Sequence, residues 1–242
     1  MAGECKQPLH DWLKPVDSAK GELYYPNHAD PLRSPLHLAR QVESEAGVGS
    51  GGNRTGSEVG HRAAAGRLLG RMAEDKVLTE FSSETFHNAL GELKNLGKTE
   101  HLVFHPGGAP RCYRVTDAGQ YGAGGDLIEY LRRLAYSNKL FNDDFQVEGV
   151  VKDPTSGAYS LVVSQPWIAD ARDAEPDEIR RYFEDHGFQR ISSLSYRKGD
   201  IVVTDAAPGN VIIDDKGVAY PIDVGIEGAE GSLLPDIDEN QG

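Results

Sequence analysis

Cysteine is scarce in these 242 residues: Cys5 and Cys112 are the only two. Two thiols make no disulfide framework, and without clustered histidines beside them they make no structural zinc site. A reducing, cytoplasmic setting fits that shortage. Long apolar runs are missing as well. No stretch approaches the about eighteen apolar residues of a membrane-spanning helix, and the opening MAGECKQPLHDWLKP lacks the apolar centre of a secretory signal, so a soluble chain with no membrane partner is expected. Positive charge is in deficit: 25 Lys and Arg stand against 38 Asp and Glu, a net −13. Nucleic-acid binding draws on clustered Lys and Arg, so DNA and RNA are not expected partners. The histidines, among them His61, His87, His101, His105 and His186, show no metal-ligand spacing and predict surface or core roles.

What remains, 38% hydrophobic, suffices for one main core. Residues 1–58 carry Pro8, Pro15, Pro26, Pro31 and Pro35 and end in AGVGSGGNRTGS, a composition that predicts a largely irregular or flexible segment. Residues 59–97 predict a helical hairpin. Its second helix would be capped by Ser82 or Ser83, lined by Phe86, Leu90, Leu93 and Leu96, and stopped by Gly97. From 98 the period shortens to that of strands. HLVF at 101–104 and RCYRVT at 111–116 flank the turn PGG and predict a β-hairpin. A helix over 126–137 follows, with Asp126 as cap and Leu127, Ile128, Leu131, Leu134 and Ala135 on one face. A second hairpin pairs 147–151 with 158–163 across DPTSG. Pro176 then opens a helix that Gly187 closes. Strands at 201–203, 211–213 and 218–222 complete an α+β order without a regular βαβ repeat. Residues 227–242 read as an acidic, flexible tail.

Chemistry concentrates in VTDAAPGN at 203–210 and PIDV at 221–224. Asp205 and Asn210 lie in a loop between two strands and Asp223 ends a third, so a hairpin can bring two carboxylates and an amide together. Phosphoryl transfer needs such a set: oxygen ligands for metal ions on nucleotide phosphates, and a carboxylate that accepts a hydroxyl proton. A plain surface turn is the competing reading, since Asp, Pro, Gly and Asn are turn residues. The full run of Asp, four residues, Asn, strand, turn, strand and Asp favours the first.

Over about 98–226 the chain resembles the serine/threonine/tyrosine-kinase-like domains of the polyvalent proteins of phages and other mobile elements. The resemblance rests on TEHLVF, YRVTDAGQYG, IEYLRRLAYSNKLFNDD, LVVSQPWI, EIRRYFEDHGF and the block from DAAPGN to PIDV. It implies a minimal two-lobed protein-kinase-like fold with a truncated C-terminal lobe, binding ATP and Mg²⁺. By the same likeness Asp205 is the catalytic-loop acid, Asn210 and Asp223 are metal ligands, and Arg114 stands where a phosphate-contacting Lys is usual. Glu129 becomes the helix acid that faces that basic residue, although it reads equally as a capping or i,i+4 residue. Gln165 and Trp167 fall in the hinge that would hold adenine, Trp167 also reading as core. Gly107 and Gly108 are placed for a phosphate loop but lack G-x-G-x-x-G, and an ordinary turn is the simpler reading.

Two departures matter. Arg for Lys changes the geometry of the donor even though it keeps the charge, and only nineteen residues follow Asp223, too few for the helices that carry protein substrates. The readings that follow are an active phosphotransferase on an unknown acceptor, with a protein partner completing the C-terminal lobe in one version; an AMP transferase on the same site; or a pseudokinase acting as a nucleotide-binding or interaction module.

Overall fold

The computed structural model describes residues 33–46, 58–82, 92–93, 101–122, 125–229 and 234. In chain order these form α1 (Pro35–Ala46), α2 (Glu58–Glu74), β1 (Glu80–Phe81), β2 (Glu92–Leu93), β3 (His101–His105), β4 (Arg111–Thr116) and α3 (Leu127–Phe141). Then come β5 (Gln146–Lys152), β6 (Tyr159–Pro166), β7 (Arg172–Asp173), α4 (Pro176–Asp185), β8 (Gln189–Arg190), β9 (Tyr196–Lys198), β10 (Ile201–Thr204), β11 (Val211–Ile213), β12 (Ala219–Pro221) and β13 (Gly225–Gly228). The architecture is mixed α+β. A six-stranded sheet runs β1-β5-β6-β4-β3-β2, and two smaller sheets run β13-β10-β9-β8 and β12-β11-β7.

Local chemistry explains the elements that hold the site. The Asp126 side chain accepts hydrogen bonds from the backbone N–H groups of Ile128 and Glu129, which starts α3 where the sequence places it. Asn142 ends the helix in the left-handed region at φ 58. The Asn138 amide then grips both N and O of Phe145, steering the chain into β5. Pro176 opens α4 behind a Glu175–Glu178 capping box, and Gly187 at φ 80 turns the chain away. Both expected hairpins form: β3 pairs antiparallel with β4, and β5 with β6.

Leu127, Leu131 and Leu134 of α3 pack on Val147, Val150, Leu161 and Val163 of the large sheet. A second cluster joins Ile179 and Phe183 of α4 to Tyr196, Val203, Val211, Ile213 and Ile226. Helices α1 and α3 serve both: α1 gives Leu38 and Val42 to the first and Leu36 to the second, and α3 adds Ala135 and Tyr136 to the second.

Three expectations are corrected. Residues 35–46, expected to be irregular, are helical, because Leu36, Leu38, Ala39 and Val42 line one face that the rest of the fold buries. Leu93, expected on a helix, lies on β2 opposite Phe104; the remainder of that expected helix, 83–91 and 94–97, is outside the described residues. The C-terminal segment is not a free tail from 227. Strand β13 pairs with β10, Ala229 N–H bonds Asp200 O at 2.7 Å, and Leu234 is buried with its carbonyl accepting from Arg132 at 2.8 Å.

Candidate active site

Strand β10 delivers the chain to Asp205, which takes φ 53, a left-handed conformation uncommon outside glycine. Ala206 behind it is buried and its N–H bonds Leu194 O at 3.0 Å, so the loop is anchored to the core while Asp205 faces solvent. Asn210 knits the loop together. Its amide nitrogen donates to the backbone carbonyl and to Oδ2 of Asp205, both at 2.9 Å. Its own carbonyl accepts from the N–H groups of Ile222 and Asp223 at 2.8 and 3.2 Å. The β11–β12 hairpin makes this closure possible: Asp214 accepts from the N–H groups of Lys216 and Val218, and the tight turn returns the chain beside Asn210. Asp205, Asn210 and Asp223 are thus one hydrogen-bonded unit.

Arg114 reaches this unit from β4. Its guanidinium donates to Asp223 Oδ1 at 2.9 Å and to the Ile222 carbonyl at 2.5 Å. It also meets His101 Nε2 at 2.8 Å and lies 5.3 Å from the Phe145 ring centroid. The Arg114 side chain is almost wholly buried, whereas that of Asp223 is 40% exposed. Burial acts to raise the pKa of Asp223, but the charge and hydrogen bond of Arg114 override it and hold the carboxyl below the usual range. His101 is driven down to about 3 by burial and then by the charge of Arg114. It is therefore neutral, and Nε2 is the acceptor for the guanidinium.

The other residues singled out from the sequence are placed as follows. Glu129 stands in the first turn of α3, and the Arg114 guanidinium does not pair with it. The implied facing of helix acid and strand base is corrected: the rigid fork of Arg114 is engaged by Asp223 and the Ile222 carbonyl. Gln165 is buried on β6 opposite Cys112. Trp167 stacks on His105 with centroids 4.1 Å apart, and its backbone N–H bonds the Pro110 carbonyl at 2.9 Å, tying the segment after β6 to the first hairpin. Gly107 and Gly108 sit in a turn closed by Ala109 N–H to Pro106 O at 2.9 Å; a Cβ at either would meet nothing within 4 Å, so Gly108 is required by its φ of 76 alone.

Two members of the neighbourhood were not legible as such. In the sequence His101 reads only as a core or surface residue, and Asp143 carries no motif. Asp143 accepts a short hydrogen bond from the Ser137 hydroxyl, and burial pushes it up to about 7 although that bond and the charge of Arg114 oppose the rise. The one available signal was a second acid immediately after the helix, in FNDD.

Asp205, the amide of Asn210 five residues on, and the post-hairpin carboxylate of Asp223 bound by a cation from the sheet have the arrangement of a protein-kinase-like domain. The profile of the family described as Serine/Threonine/Tyrosine Kinase found in polyvalent proteins matches residues 74–227, and the chain belongs to that family. No curated protein and no solved structure matches the chain. The matched range begins at the end of α2, so β1 and β2 belong to the domain along with the segment from 98 onward. Among the described residues no helix is long and apolar enough to cross a membrane.

Proposed function

We propose that the chain is an ATP-dependent phosphotransferase. The observation that carries this reading is the hydrogen-bonded unit of Asp205, Asn210 and Asp223, with both aspartates exposed at the surface. Asp205 accepts the proton of an acceptor hydroxyl as that oxygen bonds the γ-phosphorus and the phosphoanhydride bond to ADP breaks. Asn210 holds Asp205 in place through its amide nitrogen, which leaves its amide oxygen for a cation.

The donor set fits Mg²⁺. Among the described residues there is no group of three or more His, Cys, Asp or Glu that could hold a metal, and Mg²⁺ on a nucleotide needs only one or two carboxylates besides phosphate oxygens and water. Asn210 and Asp223 would hold it, and when bound it neutralises charge developing on the phosphates. Arg114, Gln165 and Trp167 line the nucleotide side of the site in this reading, with Glu129, Gly107 and Gly108 at its edge.

One observation favours a second reading. Arg114 already occupies Asp223 Oδ1, which suits a pseudokinase that binds nucleotide without turnover. Thermal shift with ATP and with adenosine, each with and without Mg²⁺, on the native chain and Asp223→Ala, tests binding. A magnesium-dependent rise with ATP that vanishes in Asp223→Ala supports the site, and no shift with any ligand sinks both nucleotide readings. Transfer of label from γ-labelled ATP to any acceptor or to the chain itself separates the enzyme from the pseudokinase.

A further inference from the structure

The Nη1 nitrogen of a guanidinium carries two hydrogens, and the fold supplies an acceptor for each of those on Arg114: Asp223 Oδ1 at 2.9 Å and His101 Nε2 at 2.8 Å. The two acceptors stand 3.7 Å apart, converging on one nitrogen. On the β3–β4 ladder Val103 faces Arg114, and His101 lies two residues from Val103, so strand alternation sets imidazole and guanidinium on the same face of the sheet. His101 is 2% exposed, and no motif marks it. A guanidinium donates and never accepts, so Nε2 is the lone-pair nitrogen of a neutral ring. The imidazole thus sits behind the Arg114–Asp223 pair as an acceptor and not as a second cation. It stands where the kinase likeness placed Glu129, as the group that orients the cation of the strand.

A long side chain held at one point keeps rotamer freedom, and each further anchor removes some of it. Arg114 is anchored on His101 within its own sheet and reaches across to Asp223, whose side chain is 40% exposed. We infer that His101 is a positioning residue: by accepting from Nη1 it fixes the direction of Arg114, and through Arg114 the orientation of the Asp223 carboxylate that would hold Mg²⁺ on a nucleotide. This rests on the nucleotide-binding reading above. His101 touches neither nucleotide nor cation in this role and acts only through Arg114. The pairing also gives a reason for Arg at this position. One nitrogen of the fork serves His101 and Asp223 while the other serves the Ile222 carbonyl, a spread of donors that the single ammonium of a Lys does not offer.

The test is calorimetric binding of ATP to the full chain with Mg²⁺ and with EDTA, the readout being the factor by which Mg²⁺ tightens binding. General damage to the fold weakens both measurements, whereas misplacement of Asp223 lowers that factor. His101→Leu, which keeps the bulk and removes the acceptor, should lower it about tenfold, the worth of one hydrogen bond to a charged group. His101→Gln, whose side-chain oxygen accepts from Nη1, should restore it. In an Arg114→Met background His101→Leu should change nothing further, because the two residues act as one unit. A factor unchanged or raised in His101→Leu, a loss that Gln does not repair, or an equal loss in the Arg114→Met background overturns the inference. The comparison of Leu with Gln decides the matter if Arg114→Met fails to fold. A native chain that binds no ATP overturns the nucleotide reading and this inference together, a result distinct from Mg²⁺-dependent binding that ignores His101.

Discussion

One terminal nitrogen of Arg114, Nη1, meets both Asp223 and His101, the other, Nη2, donates to the Ile222 carbonyl, and the guanidinium lies over the Phe145 ring. The titratable groups around it have opposing pH dependences. His101, with a pKa near 3 when folded against 6.5 for the free side chain, binds fewer protons folded than unfolded, so its contribution to stability rises with pH across that window. Asp143, raised from 3.8 to about 7, binds more protons when folded, so its contribution falls as pH rises across its own window. Each slope is at most about 1.4 kcal/mol per pH unit, and they oppose each other between about pH 4 and 6.5. Urea melts of the native chain should therefore vary little in stability over that range. Asp143→Asn should make stability climb with pH, and His101→Leu should make it decline; three parallel profiles would refute this account. On the proposed phosphotransferase reading, Asp205→Asn should lower phosphate transfer by roughly 10²–10⁴-fold, the usual worth of a positioned general base, while Mg²⁺·ATP still raises the melting temperature. A variant that retained transfer would remove Asp205 from the chemistry. The spacing of Asp205, Asn210 and Asp223 was readable because a short loop and a tight hairpin bring them together. The partners of Arg114 were not, since His101 and Asp223 approach it from opposite directions along the chain.

Among the elements, β1 shows how close packing selects a residue that no motif announces. Strand β1 runs parallel to β5, and Val150 N–H bonds Thr79 O at 2.8 Å. Gly149 sits at a bulge with φ 148, and a Cβ there would lie 2.1 Å from Thr79 O. Gly149→Ala should cost about 2–4 kcal/mol through the clash and the strained backbone and should detach β1. Hydrogen exchange would register this as lost protection of the Val150 amide ahead of the rest of β5; unchanged protection would contradict it. Helices α3 and α4 were legible in outline because Asp126, the cap of α3, and Pro176, the first residue of α4, act within a few residues of the elements they start. Helix α1 was hidden by its setting among prolines and polar residues. Its few apolar positions gain meaning only against α3, where Arg132 pairs with Glu43 at 2.6 Å and also reaches the Leu234 carbonyl.

Across the whole molecule, that bridging arrangement decides how the chain should unfold. Helices α1 and α3 contribute to both main hydrophobic clusters, so neither cluster can open without exposing apolar surface belonging to the other. Urea unfolding should follow one transition, with far-UV circular dichroism and the fluorescence of Trp167 in a Trp12→Phe background giving the same midpoint. Midpoints separated by more than their error would mean two independently stable parts.

The sequence by itself determined what is encoded within a few residues. It set the α+β order, the starts of α3 and α4, the two hairpins of the large sheet, the Asp205, Asn210 and Asp223 spacing, and the family to which the chain belongs. Only the tertiary structure decided that Arg114 binds Asp223 and not Glu129, that His101 is a neutral acceptor for it, that Gln165 Oε1 has no hydrogen-bond partner among the described residues, and that α1 and Leu234 pack into the fold. The division has a physical cause. Caps, turns and periodicity act through local backbone geometry, whereas burial and charge pairing depend on which distant segments the folded chain sets side by side.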